Sequence, residues 1–152
     1  ERRAPGRFRL TIAGGFETTG EEREFHARIA TLPAGSVEFA GFANATAKAA
    51  HFASADVFCF PTAYPHEGQP LTVIEALAYD LPVVTTRWRA LPEMLPASHA
   101  WFVPPDDPAA LADALEAAVR SRPAGALRRH YLENFLPDHH LDALAKALTS
   151  IR

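Results

Sequence analysis

Short apolar runs alternate with helical segments from Arg7 to Val103, and this alternation limits the folds open to the chain more than any single motif does. RFRLTIAGG (7–15) predicts a buried strand ending at a Gly-Gly turn, and SVEFAGF (36–42) a short strand ending at Gly41. DVFCFP (56–61) is a continuous apolar strand stopped by Pro61, LPVVTT (81–86) is another, and AWFVPP (100–105) is a short edge strand. Between them, GEEREFHARIATLP (20–33) has Phe25, Ile29 and Leu32 at helical spacing and Pro33 as its stop. ATAKAAHFASA (45–55) is a small-residue helix, PLTVIEALAY (70–79) an apolar one, and ALPEML (90–95) a helical turn. Short Val-, Ile- and Phe-rich strands joined through helices are the mark of a parallel sheet covered on both faces. The predicted class is α/β: one domain, a Rossmann-like parallel sheet with helices on both faces and right-handed crossovers.

Downstream, DDPAALADALEAAVRS (106–121) predicts a helix with Asp107 as N-cap, Pro108 at its first position and Leu111, Leu115 and Val119 along one face. The tail predicts two more helices broken near Pro137. Leu141, Leu144, Leu148 and Ile151 share a face that packs on this domain or crosses to another.

A chain of 152 residues fits one domain with a core of its own. It is 48% hydrophobic and 22% charged, ordinary for globular material. The net charge of −3 comes with no basic stripe interleaved with aromatics, so nucleic acid is not an expected partner. Arg2–Arg3 and Arg128–Arg129 read as solvated surface. Cys59, the one cysteine, lies in an apolar run and reads as a buried thiol, which rules out a disulfide framework and fits a reducing compartment. No run approaches the ~20 apolar residues that span a bilayer, and no signal peptide is evident. Ala- and Arg-rich usage fits a bacterial source. The chain opens at Glu1 without an initiator Met and reads as part of a longer protein.

Two carboxylates flag a site. Glu67 stands just ahead of the 70–79 helix and Glu75 stands within it, with seven residues between them. A carboxylate on a mostly apolar helix is costly to bury unless hydrogen bonded. Near a helix start the dipole favours it, and a carboxylate can accept from two adjacent hydroxyls, as acidic residues do toward the ribose diol in nucleotide-binding α/β folds. Alternatively Glu75 reaches solvent, or pairs with Arg87 or Arg89. Gly68 lets backbone approach a ligand closely. Pro70 can open the helix without losing a needed donor, and the amides near Leu71 and Thr72 then make an anion site suited to a pyrophosphate. Parallel sheets bind ligands beyond the carboxyl ends of their strands, where TAYPHEGQ (62–69) falls.

HEGQPLTVIEALAYDLPVVTTRWRALPEML resembles the signature of GT-B fold glycosyltransferases, most closely the large retaining family four. The signature is two glutamates seven residues apart, a small-residue helix, a PVV strand and a downstream PE, here Glu67, Glu75, Pro82–Val84 and Pro92–Glu93. FRLTIAGG, VEFAGF, ADVFCFPTAYPHEG and WFVPPDDPAALADALEAAV extend the resemblance over nearly the whole chain, in order.

The resemblance implies the nucleotide-sugar domain of a two-domain enzyme. Glu75 would accept from the ribose hydroxyls and Glu67, the candidate catalytic residue, would contact the donor sugar. Gly68, Gln69, Leu71 and Thr72 would serve sugar and diphosphate, Gly14 and Gly15 would border the diphosphate cleft, and Val37 to Phe42, with Phe42 at the end, would frame the base. Glu93 matches a position with a site role or a helix-capping one. His66, Tyr64 and the His139–His140 pair have no assigned role. No metal or other cofactor is implied. The acceptor, a saccharide or lipid-linked saccharide, would be held by an N-terminal domain absent from this chain. The family's first strand of this domain and its Arg/Lys pair would lie before Glu1, so the segment alone is expected to bind donor weakly or not at all, without turnover. A cytoplasmic enzyme of polysaccharide biosynthesis is implied, with peripheral membrane contact open to the longer protein. The chain departs from the family in having Gly68-Gln69-Pro70 where Gly-Phe-Gly is usual, and Asp80 where Gly is usual. A non-catalytic nucleotide-binding module, or a purely structural α/β module, is the alternative reading.

Overall fold

The computed structural model describes residues 6–121 and 123–150; the readings made of Arg2, Arg3 and Ile151 lie outside them. Five strands and seven helices alternate: β1 (Leu10–Ala13), α1 (Thr19–Ile29), β2 (Val37–Gly41), α2 (Ala45–Ser54), β3 (Phe58–Phe60), α3 (Leu71–Ala78), β4 (Val83–Thr86), α4 (Leu91–Met94), β5 (Phe102–Val103), α5 (Pro108–Ala118), α6 (Ala126–Asn134) and α7 (Pro137–Thr149). Every strand pair among the described residues is parallel, as the α/β class requires. Pairing divides into a two-stranded sheet, β1-β2, and a three-stranded sheet, β3-β4-β5. The division follows two compact units, Glu1–His51 and Phe52–Arg152.

In the first unit, α1 starts on a capping box. Thr18 Oγ1 accepts from the Glu21 amide at 3.2 Å and Glu21 Oε2 accepts from the Thr18 amide at 3.0 Å. Phe25 of α1 packs on Phe16 and on Phe39 of β2, ring centroids 5.1 and 5.2 Å apart. The register slips between Ile12 and Ala13, so that Ala13 faces Gly41. This bulge ends at Gly41, whose φ of 65° suits glycine. β1 departs from the expected buried strand: most of it is exposed, Leu10 by 45%. Two strands and their helices are too few layers within this unit to cover both faces of a sheet.

The second unit is built around β4. All four of its residues are buried. Successive strand side chains point to opposite faces, and Val83 and Val84 join different clusters. Val83 packs with Val73, Ala76 and Leu77 of α3, with Leu91, Met94 and Leu95, and with Leu127 of α6. Val84 packs with Val103 of β5 and with Leu111, Ala114, Leu115 and Ala118 of α5. The expected covering of both faces therefore holds in this unit. β5 lies at the edge, as expected. Cys59, in β3, is half-buried rather than buried, and its partial desolvation pushes the thiol pKa up to about 11.

Asp107 caps α5 as predicted, accepting from the Ala109 and Ala110 amides at 3.1 and 2.9 Å, with Pro108 at the first position. Asp107→Ala is expected to lose about 1 kcal/mol in chemical denaturation; unchanged stability would mean that packing alone holds α5. Among the described residues, no helix is long and apolar enough to cross a membrane. α7 has no buried residue and leaves Leu141, Leu144 and Leu148 exposed, so packing of the tail on this domain, one of two expected arrangements, is not found.

Candidate functional site

β3 ends at Phe60 and the chain runs on as an extended loop past the carboxyl end of the sheet. Backbone pairing stops there, but β4 and the turn after it continue to hold the loop through side chains. Thr85 Oγ1 donates to the Phe60 carbonyl at 2.7 Å, Thr86 Oγ1 donates to the Thr62 carbonyl, and Trp88 Nε1 donates to the Tyr64 carbonyl at 2.8 Å. Three alternate carbonyls, 60, 62 and 64, thus find donors in order. Thr85 and Thr86 are buried, and buried hydroxyls must be hydrogen bonded. A Thr-Thr pair closing a buried apolar strand was the signal in the sequence for this arrangement, and the prediction of LPVVTT as a plain strand passed over it.

Glu67 sits at the end of that loop, half-buried. Its amide donates to the Tyr64 carbonyl at 3.1 Å, and its Oε2 accepts from Thr62 Oγ1 at 3.1 Å. Thr62 Oγ1 in turn accepts from the Tyr64 amide at 3.1 Å. Gly68, Gln69 and Leu71 are exposed, Leu71 by 71%, and Thr72 is half-buried. A Cβ built on Gly68 would meet nothing within 4 Å.

Pro70 takes the N-cap of α3, with φ −65° and ψ 115°, one residue earlier than the sequence placed it. A Pro N-cap has no side chain able to accept, and no side chain caps the helix. The first amides of any helix lack partners within it, and no side chain supplies one at the start of α3. Glu75 stands one turn further on, half-buried among residues that face the core, its Oε2 shut off from solvent. Of the two arginines considered as its partners, Arg87 lies over the Phe102 ring, 4.5 Å from its centroid, and Arg89 over Trp88 at 5.7 Å.

Asp80, the residue standing for the usual glycine, closes α3 at φ 57°. Its carboxylate reaches the start of α6: Oδ2 accepts from the Gly125 amide at 2.6 Å, and Oδ1 from the Leu127 and Arg128 amides at 3.0 and 3.1 Å. Arg128 returns the contact, its Nη1 donating to the Ala78 carbonyl at 3.0 Å. The helix carrying Glu75 is thereby tied at its C-terminal end to α6. Arg128, expected as plain solvated surface, has this structural task although it is exposed.

Two clefts open on the second unit. One of about 340 Å³ lies at the carboxyl ends of the strands, lined by Pro61, Thr86, Val103, Pro104, Asp107 and Leu111 among others. The other, of about 430 Å³, lies at the opposite end and includes His99, Trp101, Leu127, Arg129 and His130. His99 meets Trp101 and Phe102 edge-on at 5.5 and 4.7 Å. Both its ring nitrogens are closed to solvent. Desolvation lowers its pKa to about 4, against an opposing pull from the Val83 backbone and with a smaller push the same way from Arg87.

Of the site residues expected from the sequence, Glu67, Gly68, Gln69, Leu71, Thr72 and Glu75 lie together along one loop and the helix it enters. Gly14, Gly15 and Phe42 belong to the first unit. There the Gly14 amide donates to the Gly41 carbonyl at 2.9 Å, and Phe42, just past the bulge, is 87% exposed. Glu93 is exposed in the single turn of α4. Among the described residues no group of three or more His, Cys, Asp or Glu side chains gathers as a metal site would.

The family described as glycosyl transferases group 1 matches residues 1–121. Over 86 residues the chain is 37% identical to WcaL of Escherichia coli (strain K12), assigned as a colanic acid biosynthesis glycosyltransferase. That match covers 53% of this chain and 21% of the relative. The protein of the same name from Salmonella typhimurium (strain LT2) is 37% identical over 81 residues, covering 50% of this chain and 20% of its own length. The chain therefore spans about a fifth of these relatives. The crystal structure of AviGT4, a glycosyltransferase involved in avilamycin A biosynthesis, superposes with a TM-score of 0.63 at 23% identity, covering 82% of this chain and 38% of that one.

Proposed function

The chain belongs to the glycosyl transferases group 1, and on that premise we propose that it binds a nucleotide-diphosphate sugar as the donor-holding part of a retaining, family-four hexosyltransferase. One observation carries this reading. A half-buried carboxylate, Glu67, is fixed beyond the carboxyl end of β3, and three residues, 68–70, lead from it to a helix with no side-chain cap that carries a second half-buried carboxylate, Glu75. Glu75 takes the ribose hydroxyls, the amides of Leu71 and Thr72 face the diphosphate, and Glu67 meets the sugar. Gly68 and Gln69 border the sugar.

In transfer, negative charge grows on the departing nucleoside diphosphate. Helix-start amides aimed at it stabilise that charge most where water is excluded. No metal is part of this reading. Glu67 is the candidate for any step that needs a carboxylate at the sugar face. The chain covers about a fifth of its WcaL relatives, so donor binding is proposed for the chain and transfer for a longer protein. The colanic acid assignment of those relatives supports a role in bacterial polysaccharide biosynthesis; a saccharide or lipid-linked saccharide acceptor and a cytoplasmic location are part of the same proposal.

The test is a thermal-shift panel on this chain with UDP, GDP, ADP and their sugar conjugates. A ligand at about ten times its Kd stabilises the folded state by about 1.4 kcal/mol. One nucleotide is expected to raise Tm, and Glu75→Ala to abolish the rise. A rise that survives in Glu75→Ala, or no rise with any nucleotide in this chain and in the longer protein alike, counts against the proposed site.

A further inference from the structure

The loop carrying Glu67 contains a hydroxyl whose two hydrogen bonds have fixed directions. Thr62 Oγ1 accepts from the Tyr64 amide, which can only donate. A hydroxyl has one proton to give, and the other partner, Glu67 Oε2, takes it. Thr62 is itself held, because its carbonyl accepts from buried Thr86 and its amide donates to the Phe60 carbonyl at 2.9 Å. A rigid strand therefore reaches Glu67 through two threonines: Thr86 fixes Thr62, and Thr62 fixes one oxygen of the carboxylate.

We propose that Thr62 is the positioning residue for Glu67, holding Oε2 through its hydroxyl so that Oε1 is presented to the sugar of the donor. The inference rests on the donor-site reading above and adds a specificity role to a residue outside the paired-glutamate motif. A Glu side chain has three rotatable bonds, and an exposed loop would leave it many rotamers. A charge-assisted hydrogen bond from a fixed donor selects among them before the ligand arrives. That ordering favours ligands carrying the sugar over ligands that stop at the diphosphate. Thr62 thus acts on the sugar increment, the ratio of the Kd for the nucleoside diphosphate to the Kd for the sugar nucleotide.

The experiment measures that ratio by titration calorimetry, with UDP against UDP-glucose and GDP against GDP-mannose, on the full 152-residue chain. Thr62→Val keeps the shape and removes the hydroxyl; Thr62→Ser keeps the hydroxyl and removes the methyl. Thr62→Val is expected to cut the sugar increment about tenfold, the scale of one hydrogen bond to a charged group, with nucleoside diphosphate affinity kept. Thr62→Ser is expected to restore the increment. Adding Thr62→Val to Glu67→Ala should cost nothing further, because a residue acting through Glu67 has no effect once its carboxylate is gone. An increment retained in Thr62→Val, lost in Thr62→Ser, or lowered again in the double variant overturns the proposal.

A second readout does not depend on ligand. The Glu67 carboxyl ¹³C resonance should move in Thr62→Val and stay in place in Thr62→Ser. A wild-type chain that binds neither nucleotide fits a segment that holds donor only within a longer protein, and leaves no increment to read. The carboxyl resonance then decides alone whether Thr62 holds Glu67, and a resonance unmoved in Thr62→Val shows that it does not.

Discussion

Asp80→Ala is expected to destabilise the second unit by about 3 kcal/mol. Two costs combine. The backbone at Asp80 has φ 57°, a region that Asp tolerates better than Ala because its short polar side chain can bond locally. The carboxylate also accepts from three amides at the start of α6. The N-cap of α6 is Gly125, which has no side chain to do this work. Removing the carboxylate leaves those amides without their acceptor and takes a negative charge from the positive end of the helix.

The variant series separates the two costs. Asp80→Gly relieves the backbone and keeps only the loss of the cap, so it should be less damaging than Ala, at about 2 kcal/mol. Asp80→Asn keeps the backbone preference and one acceptor oxygen but turns an NH₂ toward an amide that donates, and should cost about 1 kcal/mol. Both tryptophans, Trp88 and Trp101, lie in the second unit, so their fluorescence reports its unfolding in urea. An Asp80→Ala midpoint equal to that of wild type would show that α6 docks without its cap. α6 packs beside the helix carrying Glu75, and Asp80 both makes the left-handed turn and ties down that next helix.

The second large effect is on pH dependence. His99 has its pKa lowered from 6.5 to about 4 by burial, which outweighs the opposing Val83 backbone, with a smaller contribution from Arg87. Above pH 6.5 the imidazole is neutral in both folded and unfolded chains and contributes no pH dependence. Below 6.5 the unfolded chain takes up a proton that the folded chain refuses until about pH 4, so stability is lost as pH falls through that window. The complete linkage amounts to about 3 kcal/mol, and solvent reaching the part-exposed ring screens it to about 2 kcal/mol. His99→Phe keeps an aromatic ring against Trp101 and Phe102 and removes the titration. Its loss of stability between pH 7 and pH 4 is expected to be smaller than wild type's by that amount. Identical acid limbs for the two proteins, or a His99 ring that titrates near 6.5 by NMR, would contradict the burial effect.

Much of the fold was legible because it depends on local pattern. Short Val-, Ile- and Phe-rich runs, Asp107-Pro108 at a helix start and a Pro137 break are short-range signals, and each element they predicted is present within a few residues. The paired glutamates were legible for the same reason, since a carboxylate within an apolar helix is conspicuous in a linear sequence. What needed the tertiary structure was every contact whose partners are far apart along the chain. Asp80 and Leu127 are 47 residues apart, Thr86 and Thr62 24, and no periodicity links them. Burial was also not local: LTIA of β1 and VVTT of β4 are both short, β-prone segments, yet β1 is mostly exposed and β4 wholly enclosed. The sequence by itself determined the α/β class, the order of elements and the two carboxylates. The tertiary structure decided which strand has both faces covered by helices, and which side chains hold Glu67 and the α3–α6 pair in place. Secondary-structure preference is written within a few residues, whereas burial and hydrogen-bond partners depend on which distant segments share a layer.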